Sequence, residues 1–523
     1  MTISKPKQSN ILILMVDQLS GEFFADGPAD FLHAPNLKKL AQRSAKFNNT
    51  YCASPLCSPA RASFMTGNLP SLTGVYDNAA EFPSSLPTFA HSLRSLGYRT
   101  ILSGKMHFVG ADQLHGYEER LTTDIYPADF GWTPDWRKPE ERVDWWYHNM
   151  GSVTGAGVAA TSNQLEYDDE VAYHAKLKLH QLARQKQDGK PFCLTVSFTH
   201  PHDPYVTRQK YWDLYDEVEL PELNVKKIKF EQQDPHSQRL YKAVDHENFK
   251  ETDQNVAAAR RAYFANISYL DEKIGEILAV LEECEFGDDT IIAFCADHGD
   301  MLGERGLWYK MSFFEGSMKV PFFVSTPKYF EGAEPKLARS INQPVSIMDL
   351  APTLVEMAGG QPGDCTAVDG RSLVSAINAN QSLEWPVYAE YVGEGSIDPM
   401  LMIRHQQWKF NFCEIDPPQL FNLQDDPFEQ TNLANDPAHK DLVQEFTLKI
   451  HQRWDVPKFR QQVTSSQQQR LAVYDGLTKG KFSAWDFQPI QDASNRYMRN
   501  HLDLNQVEAG SRFPKLEDQN KTS

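Results

Sequence analysis

The sequence has no long apolar run. The one nearest the start, Ile11 to Val16, is six residues long and ends in Asp17, too short for the core of a signal peptide or for a membrane span. Cysteine is sparse: seven in 523 residues, scattered from Cys52 to Cys413 with no paired spacing beyond Cys52 and Cys57. That argues against a disulfide-stapled secreted scaffold and fits a reducing compartment, so a cytoplasmic location is expected. Basic residues are outnumbered, 52 Lys and Arg against 70 Asp and Glu, for a net charge of -18. Neither nucleic acid nor an anionic membrane would be drawn to such a surface, and neither is expected as a partner. No repeat period is visible. A hydrophobic content of 41% with 23% charged residues describes a globular protein, long enough for a large core with added domains.

What is present is a set of β-branched runs that each stop at a polar cluster. Ile11 to Val16 leads into Asp17-Gln18, and Thr100 to Ser103 into Gly104-Lys105-Met106-His107. Phe192 to Phe198 leads into Thr199-His200-Pro201-His202, and Thr290 to Ala296 into Asp297-His298-Gly299. Helical patterns lie between them, at Leu86 to Leu96, Val171 to Arg184 and Asn255 to Leu281. Strands alternating with helices predict an α/β fold, a large and mostly parallel sheet sandwiched by helices. In such sheets ligands bind beyond the carboxyl ends of the strands, so the four clusters are expected to line one cleft.

Between the first two runs lies Cys57-Ser58-Pro59-Ala60-Arg61, followed by Ala62-Ser63-Phe64-Met65-Thr66-Gly67. The latter reads as a short helix closed by Gly, with Pro59 suited to its first turn, so Cys57 stands at a helix start where an anion would bind. This Cys-x-Pro-x-Arg motif, with Ser63 and Thr66-Gly67 after it, resembles the signature of the type I sulfatases of the alkaline phosphatase superfamily. The resemblance implies that a formylglycine-generating enzyme converts Cys57 to formylglycine, the nucleophile. It also implies one divalent ion held by Asp17, Gln18, Asp297, His298 and position 57, usually Ca²⁺. Many sulfatases carry a second Asp where this chain has Gln18, and Asn where it has His298; the imidazole leaves Mn²⁺ and Mg²⁺ as alternatives. By the same resemblance Arg61 holds the hydrated aldehyde, while Lys105 and Lys310 contact sulfate oxygens. His200 or Lys310 is the candidate proton donor to the leaving alcohol, and His107 the candidate base that frees the sulfate. His202 reads as a structural or loop histidine; His33, His91 and His115 have no assigned role.

Past the expected catalytic domain (1–380), residues 381–460 look like a smaller α+β subdomain with a small antiparallel sheet. Val387 to Val392 and Met402 to Phe412 read there as strands. A C-terminal extension, 461–523, is expected to contribute to the substrate pocket and to an oligomer. Specificity points to two regions, the aromatic insertion Trp132 to His148 (Trp132, Trp136, Trp145, Trp146, Tyr147) and the tail Trp485 to Leu504. The first is either a packed insertion or a face for a quaternary ammonium bound by cation–π attraction; the second is a docking helix, a subunit contact or a pocket wall. With the tail Tyr497-Met498-Arg499-Asn500-His501-Leu502-Asp503-Leu504, the chain resembles the choline-sulfatase branch of the family over nearly its whole length. That implies hydrolysis of choline-O-sulfate, with Trp132, His148, Glu390 and Asp503 at the ammonium end and a homo-oligomer, dimer or tetramer. The alternatives are an aryl sulfatase or a phosphonate monoester or phosphodiester hydrolase of the same superfamily, or a non-catalytic binder of quaternary ammonium compounds in which Cys57 stays a thiol.

Overall fold

The computed structural model describes residues 8–139, 141–142, 148–327, 339–366, 369–378, 383–490 and 502–512. Its centre is an eight-stranded sheet. In chain order the strands are β1 (Asn10–Asp17), β2 (Ala45–Phe47), β3 (Arg99–Gly104), β4 (Glu119–Arg120), β5 (Phe192–Pro201), β6 (Thr290–Ala296), β7 (Phe322–Ser325) and β8 (Arg339–Ile341). Their spatial order is β8-β2-β7-β6-β1-β5-β3-β4. The run from β6 to β4 is parallel throughout, and β7 is antiparallel to both of its neighbours.

β1 explains why its sequence is apolar without alternation. Leu12, Leu14 and Val16 point into one core and Ile11, Ile13 and Met15 into another, so both faces of the strand are covered. The first core packs under α3 (Asn163–Arg184) and α4 (Asp253–Glu283). The second lies under α1 (Cys57–Thr66), α2 (Phe89–Ser95) and α5 (Leu350–Met357). Helix starts follow their caps. Ser162 accepts from Leu165 N and Thr252 from Asn255 N, which starts α3 and α4 earlier than their apolar periodicity does. α2 begins three residues later than its pattern, after Pro87, because Thr88 and His91 close a capping box there.

A second sheet of four strands, β9 (Val387–Tyr391), β10 (Met400–His405), β11 (Trp408–Cys413) and β12 (Gln419–Asn422), is antiparallel in sequential order. The stretch Met402 to Phe412, read above as one strand, is thus two. His405 pairs with Trp408 across a two-residue turn in which Gln406 takes φ 52°. No Gly or Asn marks that turn, so the sequence carried no signal for it. Two helices follow, α6 (Lys440–Arg453) and α7 (Val456–Thr478), then α8 (Leu504–Ser511). Among the described residues no helix is long and apolar enough to cross a membrane.

Candidate active site

The parallel strands deliver their polar ends to one place. Asp17 closes β1, Lys105 follows β3, His202 follows β5 and Asp297-His298 follow β6. β3 and β5 approach closely at this edge: a Cβ on Gly104 (φ 110°) would lie 1.9 Å from Ser197 O, so only glycine fits.

Cys57 is the first residue of α1 and fully buried, and the side chain of Asn78 caps the turn by accepting from Ser58 N at 3.0 Å. Its Sγ lies 3.2 Å from His298 Nε2, 3.2 Å from Lys310 Nζ, 3.7 Å from Lys105 Nζ and 3.8 Å from Asp17 Oδ1. Burial by itself pushes a thiol up, but Lys105, Lys310 and His298 outweigh it and hold Cys57 well below the ordinary thiol range. Lys105 acts on Asp17 as well, where burial and Cys57 favour the acid but Lys105 and Arg61 keep it a carboxylate.

Asp17, Cys57, Asp297 and His298 bring one ligand atom each within 4.8 Å of one another. Their chemistry fits a divalent ion: two hard carboxylates, one imidazole and position 57. His298 Nδ1 faces Gly299 O at 3.0 Å, which as a donor leaves Nε2 as the ligand atom. Burial opposes a charged His298, yet Asp297 and Cys57 raise its pKa; a divalent ion would replace that proton.

Two expected roles are corrected by the geometry. Gln18, at φ 60°, turns its amide away from the four: Oε1 accepts from Lys310 Nζ at 2.7 Å and Nε2 donates to Asp300 Oδ2 at 2.8 Å. In this arrangement its side chain bridges Lys310 and Asp300 and lies outside the four-residue cluster. Arg61 is engaged by the framework. Nε donates to Asp297 Oδ2 (2.8 Å), Nη2 to Asp17 Oδ2 (3.1 Å), and Nη1 to Lys105 O and Ser197 Oγ (2.6 and 2.9 Å). Those bonds tie its guanidinium to the two carboxylates and to the ends of β3 and β5.

A third correction concerns the histidines. His200 lies inside β5; its Nδ1 is 2.7 Å from Asp168 Oδ2 on α3, and its ring packs edge-on to Tyr269 of α4. The side chain thus emerges on the helix-covered face. His202, past the strand end, faces the site: Nε2 is 2.7 Å from Lys310 Nζ and Nδ1 is 2.6 Å from Asp203 O. His107 (φ 53°) is buried beside Tyr126 and Trp132; burial lowers its pKa, opposed by its interaction with the Cys57 thiol.

A cavity of about 390 Å³ opens from Cys57 and Lys310. Asn78, Tyr126, Trp132, His148, His202 and Asp203 are among the residues lining it. Trp132 meets Tyr126 edge-on at 5.2 Å, and His148 stacks on Tyr309 at 4.7 Å with Nδ1 3.0 Å from the Asp203 carboxylate. Burial drives the His148 pKa down to about 4, so the ring is neutral near pH 7. Trp145, Trp146 and Tyr147 lie outside the described residues, as do 497–501 of the tail.

Glu390 and Asp503 do not reach this cavity. Glu390 is fully buried elsewhere and accepts from Ser71 N (2.6 Å), Ser71 Oγ (2.5 Å) and Trp454 Nε1 (2.5 Å); burial raises its pKa to about 7. Asp503 is exposed and caps α8, accepting from Gln506 N. That helix ends against Arg184, whose Nη1 donates to Ser511 O, on the side where β5 begins. Asn78, Tyr126, Asp203 and Asp300 were missed by sequence reasoning. Asp203 and Asp300 adjoin clusters already marked by strand ends, whereas Asn78 and Tyr126 carry no local signal.

Residues 9–360 match the sulfatase family, and the chain belongs to it. Residues 303–455 match the N-sulphoglucosamine sulphohydrolase C-terminal family, and residues 461–513 the choline sulfatase enzyme C-terminal family. A choline-sulfatase of Rhizobium meliloti is 56% identical over 99% of this chain and 100% of its own. An arylsulfatase of Clostridium perfringens is 28% identical over 83% of this chain and 92% of its own. Among solved structures, a phosphonate monoester hydrolase from Silicibacter pomeroyi superposes with a TM-score of 0.69 at 22% identity, over 85% of this chain and 95% of that one. At that identity the last likeness shows the fold alone.

Proposed function

We infer that this protein hydrolyses choline-O-sulfate to choline and sulfate. The observation that carries the reading is the 56% identity to a choline-sulfatase across the full length of both chains. It is supported by an active-site cavity whose reacting end is cationic and whose far end is aromatic.

When position 57 is formylglycine and the divalent ion is bound, they supply a nucleophilic hydroxyl and neutralise sulfate charge. The chain's own residues do the rest. Lys105 and Lys310 place two ammonium charges beside position 57, where they offset the sulfate oxygens that otherwise repel a nucleophile. Lys310 Nζ and His202 Nε2 share a hydrogen bond at the cavity wall, and that pair can hand a proton to the departing alkoxide. His107, kept neutral by burial, can accept a proton at position 57. The ammonium end is read as Trp132, an aromatic wall for a cation that has no N–H to donate, with Tyr126 packed edge-on beside it and its own ring lying under Lys105 Nζ at 4.2 Å. Asp203 and His148 close that wall.

Calcium is our reading for the ion, with Mn²⁺ and Mg²⁺ as alternatives. Maturation requires a formylglycine-generating enzyme. The location is read as cytoplasmic, which suits seven cysteines that are buried and in no disulfide. We read the chain as a homo-oligomer, dimer or tetramer, in which Asp503 serves a neighbouring subunit, since its own cavity does not include it.

The test is sulfate release from choline-O-sulfate beside an uncharged aryl sulfate, using protein co-expressed with a formylglycine-generating enzyme. A kcat/KM higher on the choline ester is expected; preference for the aryl ester would discard the ammonium pocket and keep the sulfatase.

A further inference from the structure

The C-terminal extension touches the substrate cavity through intermediaries. α7 buries Arg470 against the catalytic domain, and its guanidinium grips Asp77 at both ends, Nη1 to Oδ1 at 2.7 Å and Nη2 to Oδ2 at 2.6 Å. The same Nη1 donates to Thr133 Oγ1 at 3.0 Å. Each contact leads to a cavity wall. Asp77 precedes Asn78, which lines the cavity and accepts from Ser58 N at 3.0 Å, next to Cys57 in α1. Thr133 follows Trp132, and its hydroxyl passes the hydrogen bond on to Phe130 O at 2.8 Å, closing the turn that presents the indole.

The rest of the extension fastens the same loop. Asp486 Oδ1 accepts from Ala128 N at 3.0 Å, and Trp485 packs edge-on to Phe130 at 5.1 Å. A buried ion pair is a poor device for stability alone, since desolvation offsets most of its attraction and apolar side chains of similar size would serve as well. A planar fork bound to a carboxylate and a hydroxyl instead sets the relative position of the two segments that carry them.

We propose that Arg470 is a positioning residue for the substrate pocket, setting the Asn78 loop and the Trp132 loop in register through Asp77 and Thr133. For the Trp132 half, the proposal rests on the choline-ester reading. It makes Arg470 a specificity residue that touches no substrate.

The test uses the full-length protein with matched formylglycine content, assayed on choline-O-sulfate and on an uncharged aryl sulfate. Arg470→Lys keeps the charge and loses the fork; kcat is expected to fall about 10-fold on both esters through the Asn78 loop, with KM rising about 10-fold on the choline ester only. Thr133→Val cuts the Trp132 link alone and is expected to raise KM about 5-fold for the choline ester, with aryl sulfate kinetics unchanged. Wild-type kinetics in both variants would overturn the proposal. So would equal losses on the two esters that track a lowered melting temperature, which would make Arg470 structural only. If the parent protein, with formylglycine at position 57, prefers the aryl ester, the substrate reading fails, and the kcat of Arg470→Lys on the aryl ester still decides the Asn78 half.

Discussion

The two ends of the cavity are built differently. At the reacting end, Asp17, Lys105, Asp297 and His298 stand at the ends of core strands and Cys57 at the start of a helix, all of them at most 1% exposed. The far end is loops: Tyr126, Trp132 and His148 come from segments without long regular elements, and the C-terminal extension ties one of them down. Strand ends inherit their rigidity from a ladder that must form anyway, and the ionic cluster there is braced by its own members, Arg61 on the carboxylates of Asp17 and Asp297 and Gln18 on Lys310. Loop side chains have no such frame and depend on contacts made by distant parts of the chain. The cluster of carboxylates and cations around Cys57 therefore sits on the scaffold, and the aromatic wall sits on what is added to it.

The largest expected effect falls at the reacting end. Cys57→Ala should abolish sulfate release from choline and aryl esters alike, by about 10⁴-fold or more, while the melting temperature moves by only a few degrees. Activity within 10-fold of the parent would remove the covalent role of position 57. Next is the metal: exhaustive chelation should stop turnover and lower the melting temperature, with Ca²⁺ restoring both. Restoration by Mn²⁺ or Mg²⁺ alone would reassign the ion.

The histidine correction is sharpened by a pair of variants. His202→Ala should cost about 10²–10³-fold in kcat with little change in denaturation midpoint. His200→Ala should instead leave kcat within a few-fold and destabilise by about 1–3 kcal/mol, because Asp168 loses a buried partner. The opposite pattern would return the proton donor to His200.

The smallest effect separates Glu390 from the ammonium end. Its folded pKa, about 7, lies above the ordinary 4.5, so the folded state holds the extra proton. That contribution to stability is complete below pH 4.5 and is lost as pH rises through 7, an amount of about 3 kcal/mol. Glu390→Gln should flatten this part of the melting-temperature profile and leave KM for choline-O-sulfate within about twofold. A clear rise in KM on the choline ester alone would put the carboxylate back at the substrate.

Legibility followed the same division. The four strand ends and the Cys57 helix could be read because each is local: a run of β-branched residues stops at a polar pair, or a Pro and a Gly bracket a helical turn. The turn at Gln406-Gln407 escaped because its residues carry no turn signature. Asn78 escaped because its place in the cavity depends on Asp77 meeting Arg470, 393 positions away in the chain.

By itself the sequence determined the parallel α/β scaffold, the nucleophile with its helix start, and the acidic and basic partners that strand ends carry to one edge. Periodicity and short motifs encode these through nearest neighbours. Tertiary structure alone decided that His202 and not His200 overlooks the edge, and that Gln18 serves Lys310 while Arg61 serves the carboxylates. It also buried Glu390 against Ser71 and Trp454. Each of these depends on where a strand stops, which face a side chain leaves from, and what distant residue meets it there, and buried polar groups take whichever partners packing brings within reach.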